Sequence, residues 1–235
     1  MSDSPEFYRL VVARRAKVGE DADLVEPVER IVRALQKEDP ELFRLLGYSP
    51  AYSKFEVIDG EKSLVPNFLM TSQIQWNFGR EPRDPTNQVI FFNDYEDERY
   101  AGLKVVFSVE KPEDGIEAAG PGLVAELFLG TVPAGPGGAA RTARLDRLFA
   151  LLVEAFAPDH GRVELPGHPE AEGESDAPGV GWLTYRAGAE PPRVPPPATA
   201  TPLAGGVTIR LAPGDAPDRF DAVADATAAV RAALG

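Results

Sequence analysis

Cysteine is absent from this sequence, and only two histidines, His160 and His168, are present. Without cysteine the chain has no disulfide, no thiolate zinc site and no cysteine nucleophile. Zinc would need a third ligand beside the two histidines, and their spacing matches no recognised metal pattern. We therefore expect two surface histidines, and neither a metal nor a cofactor.

Long apolar runs are also missing, since no uninterrupted stretch approaches the roughly 18 residues of a membrane span. The N-terminal sequence MSDSPEFYRLVVARRAK places acidic residues before a short apolar run and basic residues after it. That order is the wrong one for a secretory signal. We therefore expect a protein that stays where it is made, and the lack of cysteine fits the reducing cytoplasm.

Positive charge is scarce: 24 Lys and Arg face 37 Asp and Glu, giving a net charge of −13 and a pI near 4.7. Such a balance repels nucleic acid and anionic membranes, and it steers a basic protein partner toward the chain. The alternative is that the acidity only keeps the protein soluble.

Catalytic motifs are not found. The glycines from Gly135 to Gly138 precede a helix, but no Lys-Ser/Thr pair follows them, so a phosphate-binding loop is excluded. No nucleophile elbow of the G-x-S-x-G type occurs. We expect that the protein is not an enzyme. A small hydrolase with an unrecognised carboxylate site is the alternative, although nothing specifies a catalytic pair.

Helical periodicity is clearest from Thr142 onward, in TARLDRLFALLVEAF. One face of this segment carries apolar side chains at helical spacing, namely Leu145, Leu148, Phe149, Leu152 and Phe156. We expect Thr142 to cap the start of the helix and Pro158 to end it.

Two further helices are predicted, from about Leu24 to Lys37 and from about Asp218 to Leu234. The phrase DPELFRLLGYS predicts a short additional helical segment closed by Gly47. GLVAELFLGTV, from Gly122 to Val132, is ambiguous between helix and strand.

Strand-like segments with alternating polarity fill most of the rest, among them FYRLVVA, SLVPNFLM, SQIQWNF, QVIFFN, LKVVFSVE, RVEL and GVTIRL. Together with the helices they predict an α+β fold, mainly an antiparallel sheet with about three main helices packed on it. We expect a single domain over residues 1–235, in which 166–202 contain an acidic loop and a proline-rich extended segment.

The densest acidic cluster lies in NDYEDERY, where tyrosines are interleaved with carboxylates. It lacks the glycine and the distant closing glutamate of a calcium loop. Carboxylates beside tyrosines suit a basic protein partner, because tyrosine supplies contact area and the carboxylates supply steering. A solvated hairpin tip is the alternative. The predicted partner-binding residues are Asp94, Tyr95, Glu96, Asp97, Glu98 and Tyr100, with the acidic stretch from Glu170 to Asp176 as a second contact.

Several phrases together resemble the immunity protein fifty-two family of bacterial polymorphic toxin systems. They are the early helix followed by DPELFRLLGYS, the strand LKVVFSVE, the helix ending EAFAPDHGRVEL, and GVGWLTY before a proline-rich run and a terminal strand and helix. The chain departs from the family at Phe156, where a tryptophan is more usual.

The resemblance implies an α+β protein that binds and neutralises one cognate toxin, often a nuclease-type effector of a contact-dependent or type VI secretion system. It brings no catalytic residues with it. An acidic inhibitor could occlude the basic groove of such a toxin. An adaptor that recruits an effector without inhibiting it is a further alternative.

Overall fold

The computed structural model describes residues 7–15, 22–49, 54–58, 86–93, 99–108, 122–167, 179–188 and 190–234. Several predicted features lie outside these residues, among them the strands SLVPNFLM and SQIQWNF, His168, and the acidic stretch from Glu170 to Asp176.

One antiparallel sheet of ten strands organises the described part of the chain, in the order β3-β2-β4-β5-β6-β1-β7-β8-β10-β9. The strands are β1 (Tyr8–Arg15), β2 (Leu46–Ser49), β3 (Lys54–Val57), β4 (Thr86–Phe92), β5 (Ala101–Ser108), β6 (Gly122–Leu129), β7 (His160–Glu164), β8 (Leu183–Ala187), β9 (Thr199–Leu203) and β10 (Gly206–Arg210). β1 lies inside the sheet and pairs with β6 on one side and β7 on the other.

Four helices accompany the sheet in the described residues: α1 (Ala22–Glu38), α2 (Thr131–Ala134), α3 (Gly138–Phe156) and α4 (Ala224–Leu234). The last is preceded by a turn of 3-10 helix, Phe220–Val223. α1 packs against α3, and α3 packs against β1 and β7. The predicted fold class, an α+β protein with a mainly antiparallel sheet and about three main helices, is confirmed. No described helix combines the length and the apolar character that crossing a membrane requires.

The apolar face predicted for α3 is buried as expected, since all five of its residues are at most 1% exposed. Full burial of each such side chain stabilises the fold by about 1.5–3 kcal/mol. The helix ends where Ala157 takes a left-handed conformation (φ 50°), just before Pro158. Its predicted start is wrong: the helix begins at Gly138, one turn before Thr142. The Thr142 hydroxyl instead donates to the Gly138 carbonyl and accepts from the Ala216 N–H.

The segment predicted as a short helix, DPELFRLLGYS, forms one turn and then a strand. The Asp39 carboxylate accepts the Leu42 N–H at 3.0 Å, and the Phe43 N–H bonds the Asp39 carbonyl. Beyond that turn β2 begins at Leu46 and pairs with β3. Strand pairing therefore overrides a helical pattern that is only a few residues long.

GLVAELFL, left ambiguous by its sequence, is strand β6. Every second residue is fully buried, namely Leu123, Ala125, Leu127 and Leu129, whereas Val124 and Phe128 between them are only partly buried. Hydrogen bonding to β1 and β5 along nearly its whole length explains why this run forms a strand.

The proline-rich run is mostly irregular chain from Glu190 to Ala198 and ends in β9, an edge strand. Pro202 lies in β9, where an edge position tolerates a residue that lacks a backbone N–H.

The two faces of the sheet differ. Along β1, Tyr8, Leu10 and Val12 point toward α3, as the Arg141 guanidinium over the Tyr8 ring shows. Because side chains alternate along a strand, Arg9 and Val11 point to the opposite face.

Candidate functional site

The β4–β5 hairpin carries the predicted partner-binding segment, and its base is held by Asn93. This asparagine is 2% exposed. Its side-chain amide donates to the Arg99 carbonyl at 3.1 Å, and its side-chain oxygen accepts the Ala101 N–H at 3.0 Å. A backbone bond from the Asn93 N–H to the Ala101 carbonyl, 2.9 Å long, completes the clamp. The two ends of the acidic segment are therefore fixed to each other.

Five of the six predicted partner-binding residues, Asp94, Tyr95, Glu96, Asp97 and Glu98, lie outside the described residues. They connect Asn93 directly to Arg99, both of which are described. The described frame therefore defines where the segment leaves and re-enters the sheet.

Tyr100, the sixth predicted residue, is half-buried against the sheet. Its ring packs on Phe7 with centroids 5.4 Å apart. It also lies over Gly102, where an added Cβ would come within 2.3 Å of the Tyr100 oxygen. Burial raises the pKa of Tyr100 above its ordinary value. This tyrosine therefore braces the end of the hairpin, and only part of its surface is open to a partner.

A cleft of about 430 Å³ opens beside Arg99, and we name it the hairpin cleft. Three separate parts of the chain meet in it: the turn after α1, the end of the β4–β5 hairpin, and the α2–α3 region. Its described lining is Asp39, Glu41, Leu42, Arg99, Val132, Pro133, Gly135, Pro136, Ala140 and Arg144. The volume falls within the range of ligand-binding pockets, roughly 300–1,000 Å³.

The α2–α3 wall of the cleft is held in place by Arg141. Gly135 and Gly137 take positive φ values of 108° and 90°, backbone conformations that residues other than glycine rarely adopt. The buried Arg141 donates from Nε to the Gly135 carbonyl, pairs with Asp218, and lies 5.3 Å from the Tyr8 ring centroid. These contacts tie the glycine-rich connection to the sheet and to the C-terminal region.

The α1 side of the cleft is an ion-pair network. Arg144 lies 2.9 Å from the Asp39 carboxylate and 3.5 Å from that of Glu38, while Arg147 lies 2.7 Å from Glu38. Two arginines of α3 thus neutralise two acids at the end of α1. Glu41, on the rim, is exposed and has no ion pair with any described residue.

A second charged cluster lies on the sheet face away from α3, centred on Arg9. Arg9 pairs with the buried carboxylates of Glu126 and Glu164, the latter at 3.1 Å. Burial disfavours the charged guanidinium, but the two carboxylates outweigh it and raise the pKa of Arg9 above its ordinary value. Lys104 lies 3.4 Å from Glu126, and Arg162 lies 2.6 Å from Glu164.

The sequence interpretation missed this ion network. The signal available was an ionisable residue inside each of three predicted strand segments: Arg9 in FYRLVVA, Glu126 in GLVAELFL and Glu164, together with Arg162, in RVEL. Adjacent strands bring the three together, because Arg9 lies directly opposite Glu164 and two positions from the partner of Glu126. Within the part of the chain that the structure describes, no group of three or more histidines or carboxylates is placed to hold a metal ion.

Neither a protein-family model nor a curated protein matches the sequence. A T6SS protein of Pseudomonas aeruginosa with a solved structure aligns over 95% of this chain and 76% of its own, at 11% identity and a TM-score of 0.45. At this distance the likeness carries no functional information. The resemblance to the immunity protein fifty-two family stays a prediction.

Proposed function

We propose that this chain is an immunity protein that binds one cognate bacterial toxin and neutralises it in the cytoplasm, by stoichiometric binding and not by catalysis. One observation carries the proposal: Asn93 hydrogen-bonds Arg99 and Ala101 and so holds together the two ends of the acidic, tyrosine-containing segment, and Arg99 lines the hairpin cleft. Because the two ends of the segment are already held together, the segment loses less conformational entropy when it binds a partner, and this favours affinity.

Electrostatics support a basic partner. The net charge of −13 attracts a positively charged surface over a distance of about one Debye length, roughly 8 Å at physiological salt. Four carboxylates lie within the five residues that join Asn93 to Arg99. A nuclease-type toxin has a basic groove for its substrate, and an acidic segment that entered such a groove would exclude the substrate.

Co-expression tests the proposal. The toxin domain encoded beside this gene is expressed in a sensitive bacterium with and without the chain, and the two proteins are then co-purified. We expect rescue of growth and a stable one-to-one complex. A chain that neither rescues nor binds contradicts the proposal. Binding with full toxin activity identifies an adaptor instead.

A charge-matched pair of variants tests the acidic segment itself. In the first, lysine replaces Asp94, Glu96, Asp97 and Glu98. In the second, lysine replaces four exposed acids elsewhere on the described surface, Glu154, Glu190, Asp221 and Asp225. Both variants change the net charge equally, so only a local role of the acidic segment predicts that the first loses much more affinity. Equal losses of affinity would show that the overall charge of the chain, and not the acidic segment, determines binding.

A further inference from the structure

A row of apolar side chains crosses the sheet on the face away from α3. Residues that lie directly opposite each other on neighbouring antiparallel strands point to the same face. Arg9 points away from α3, Phe128 lies opposite Arg9, and Gly102 lies opposite Phe128. Beyond Gly102 the same register places one residue on each of β4, β2 and β3, namely Phe92, Leu46 and Val57. An apolar row therefore runs from β6 to β3.

Aromatic rings fill the gap that Gly102 leaves in this row. The Tyr100 side chain lies over Gly102. Phe7 packs on Tyr100 and on Phe128, with ring centroids 5.4 Å and 6.4 Å apart. Ile90 points to the same face, because it lies two residues from Phe92 on β4. We name this surface the apolar row, defined as Leu46, Val57, Ile90, Phe92, Tyr100 and Phe128.

The apolar row is open to solvent, most of all on β3 and β4. Ile90 is 46% exposed and Val57 is 37% exposed, which makes them two of the three most exposed large hydrophobic side chains in the described residues. The third, Val132, lies in the hairpin cleft. Phe91 and Leu103 point to the opposite face and are fully buried. Contiguous apolar surface that stays exposed is typical of a contact site for another molecule.

The apolar row is continuous with the acidic segment. Phe92 directly precedes Asn93 and Tyr100 directly follows Arg99, so the acidic segment leaves and re-enters the sheet beside the row. From β6 to β3 the row spans four strand spacings of about 4.8 Å, or roughly 19 Å. Protein interfaces of standard size combine an apolar, aromatic-rich centre with a polar, charged rim. The row and the acidic segment have the composition of such a centre and such a rim.

The charges beside the row distinguish a basic partner from a second copy of this chain. The ion network centred on Arg9 lies next to the row and contains three cations and two carboxylates. Arg99 adds one exposed positive charge, but the four carboxylates of residues 94–98 outweigh both. Two copies meeting through this face would bring two such segments and two chains of net charge −13 together, and would repel each other. A partner that carries basic residues around an apolar centre is therefore favoured.

We propose that the apolar row is the centre of the surface that binds the toxin. Apolar side chains of the toxin lie on the row, and basic residues around them meet the acidic segment. Burial of Ile90 and Val57 contributes affinity, whereas the carboxylates contribute steering and orientation. This assignment rests on the proposed function and identifies the face of the sheet on which the toxin lies.

Two substitutions of equal charge test the row by equilibrium binding to the toxin domain encoded beside the gene. Ile90→Glu should weaken binding by roughly tenfold or more, because it places a carboxylate in an apolar contact. The fold accommodates this carboxylate, since Ile90 is exposed and lies directly opposite Lys104. The control, Val132→Glu, adds the same charge at a more exposed hydrophobic position and should change affinity by less than about twofold. If charge steering alone held the toxin, Ile90→Glu would bind as tightly as the unchanged chain or more tightly, and the assignment would be wrong.

The absence of cysteine from the chain allows a second test that perturbs the surface less. Single cysteines are introduced by Ile90→Cys, Val57→Cys and Val132→Cys, and each is labelled with an environment-sensitive fluorophore. Binding of the toxin domain should shift the emission of the labels at positions 90 and 57 to shorter wavelength and leave the label at position 132 unchanged. A response at position 132 alone would overturn the assignment. A shift at position 90 that unlabelled chain produces without toxin would identify a second copy as the occupant and would also overturn it.

The outcomes separate the two proposals. If the toxin binds the unchanged chain, Ile90→Glu binds like Val132→Glu and the labels at positions 90 and 57 do not respond, the row assignment is wrong and the immunity function stands. If the toxin does not bind the unchanged chain, both are wrong. Selective weakening by Ile90→Glu, together with emission shifts at positions 90 and 57, establishes the row as the contact.

Discussion

Replacing Arg9 with methionine should destabilise the fold more than any surface charge substitution. Arg9 makes charge-assisted hydrogen bonds to Glu126 and Glu164, whose side chains are 7% and 2% exposed. Hydrogen bonds to charged groups are worth about 1.5–3 kcal/mol each, so two give about 3–6 kcal/mol. Lys104 and Arg162 stay beside the two carboxylates, which places the loss at the lower end, about 3 kcal/mol.

The assay is urea or thermal unfolding followed by circular dichroism. For a chain of this size, about 3 kcal/mol corresponds to a fall in Tm of roughly 6–12 °C. Arg30→Met is the control, because Arg30 forms only an exposed i,i+4 pair with Glu26 and its loss should be below about 0.5 kcal/mol. A loss below about 1 kcal/mol for Arg9→Met would refute the reasoning.

Three further predictions concern the hairpin base, an ionisable core residue and the main helix. Asn93→Ala should lower the free energy of unfolding by about 1–3 kcal/mol, because it removes the side-chain partners of the buried Ala101 N–H and of the part-buried Arg99 carbonyl. Urea titration measures this change, and a neutral result would mean that the clamp is dispensable. Burial, together with the nearby Asp159 carboxylate, raises the pKa of Tyr185, so the neutral phenol is favoured in the folded chain. This contribution to stability is present in full below pH about 10, the pKa of tyrosine in the unfolded chain, and is lost as the pH rises through the higher pKa of the folded chain. The urea midpoint of Tyr185→Phe should therefore fall less at alkaline pH than that of the unchanged chain. An identical fall would contradict the assignment. Phe149→Ala should cost about 3–5 kcal/mol through loss of core packing, measured by the same unfolding assay, and a cost below about 1 kcal/mol would show that the α3 core is not packed as described.

Long periodic elements could be predicted because their signal is redundant. The stripe on α3 repeats over about three turns, from Leu145 to Phe156, so an error at one position does not change the interpretation. Its first turn could not be predicted, because the helix starts in the glycine-rich Gly137–Gly138 without a side-chain cap, whereas Thr142 looked like one. Short segments carry less redundancy, and for this reason the sequence of the turn at Asp39 predicts a helix that does not form.

Features formed by residues from distant parts of the chain could not be predicted from the sequence. The hairpin cleft joins residues from the turn after α1, the β4–β5 hairpin and the α2–α3 region, and only the sheet order brings them together. The Arg9 network depends on the register between β1 and its neighbours, because a slip of one residue would turn its side chains to the other face. The acidic segment was visible in the sequence as composition, whereas its anchoring by Asn93 was not.

The measurement that tests the central claim most directly is calorimetric titration of the purified chain with the toxin domain encoded beside its gene, at low and at high salt. The account predicts one-to-one binding whose affinity falls as salt rises, together with complete loss of toxin activity at the equivalence point. Absence of binding, or binding that leaves the toxin fully active, would contradict it.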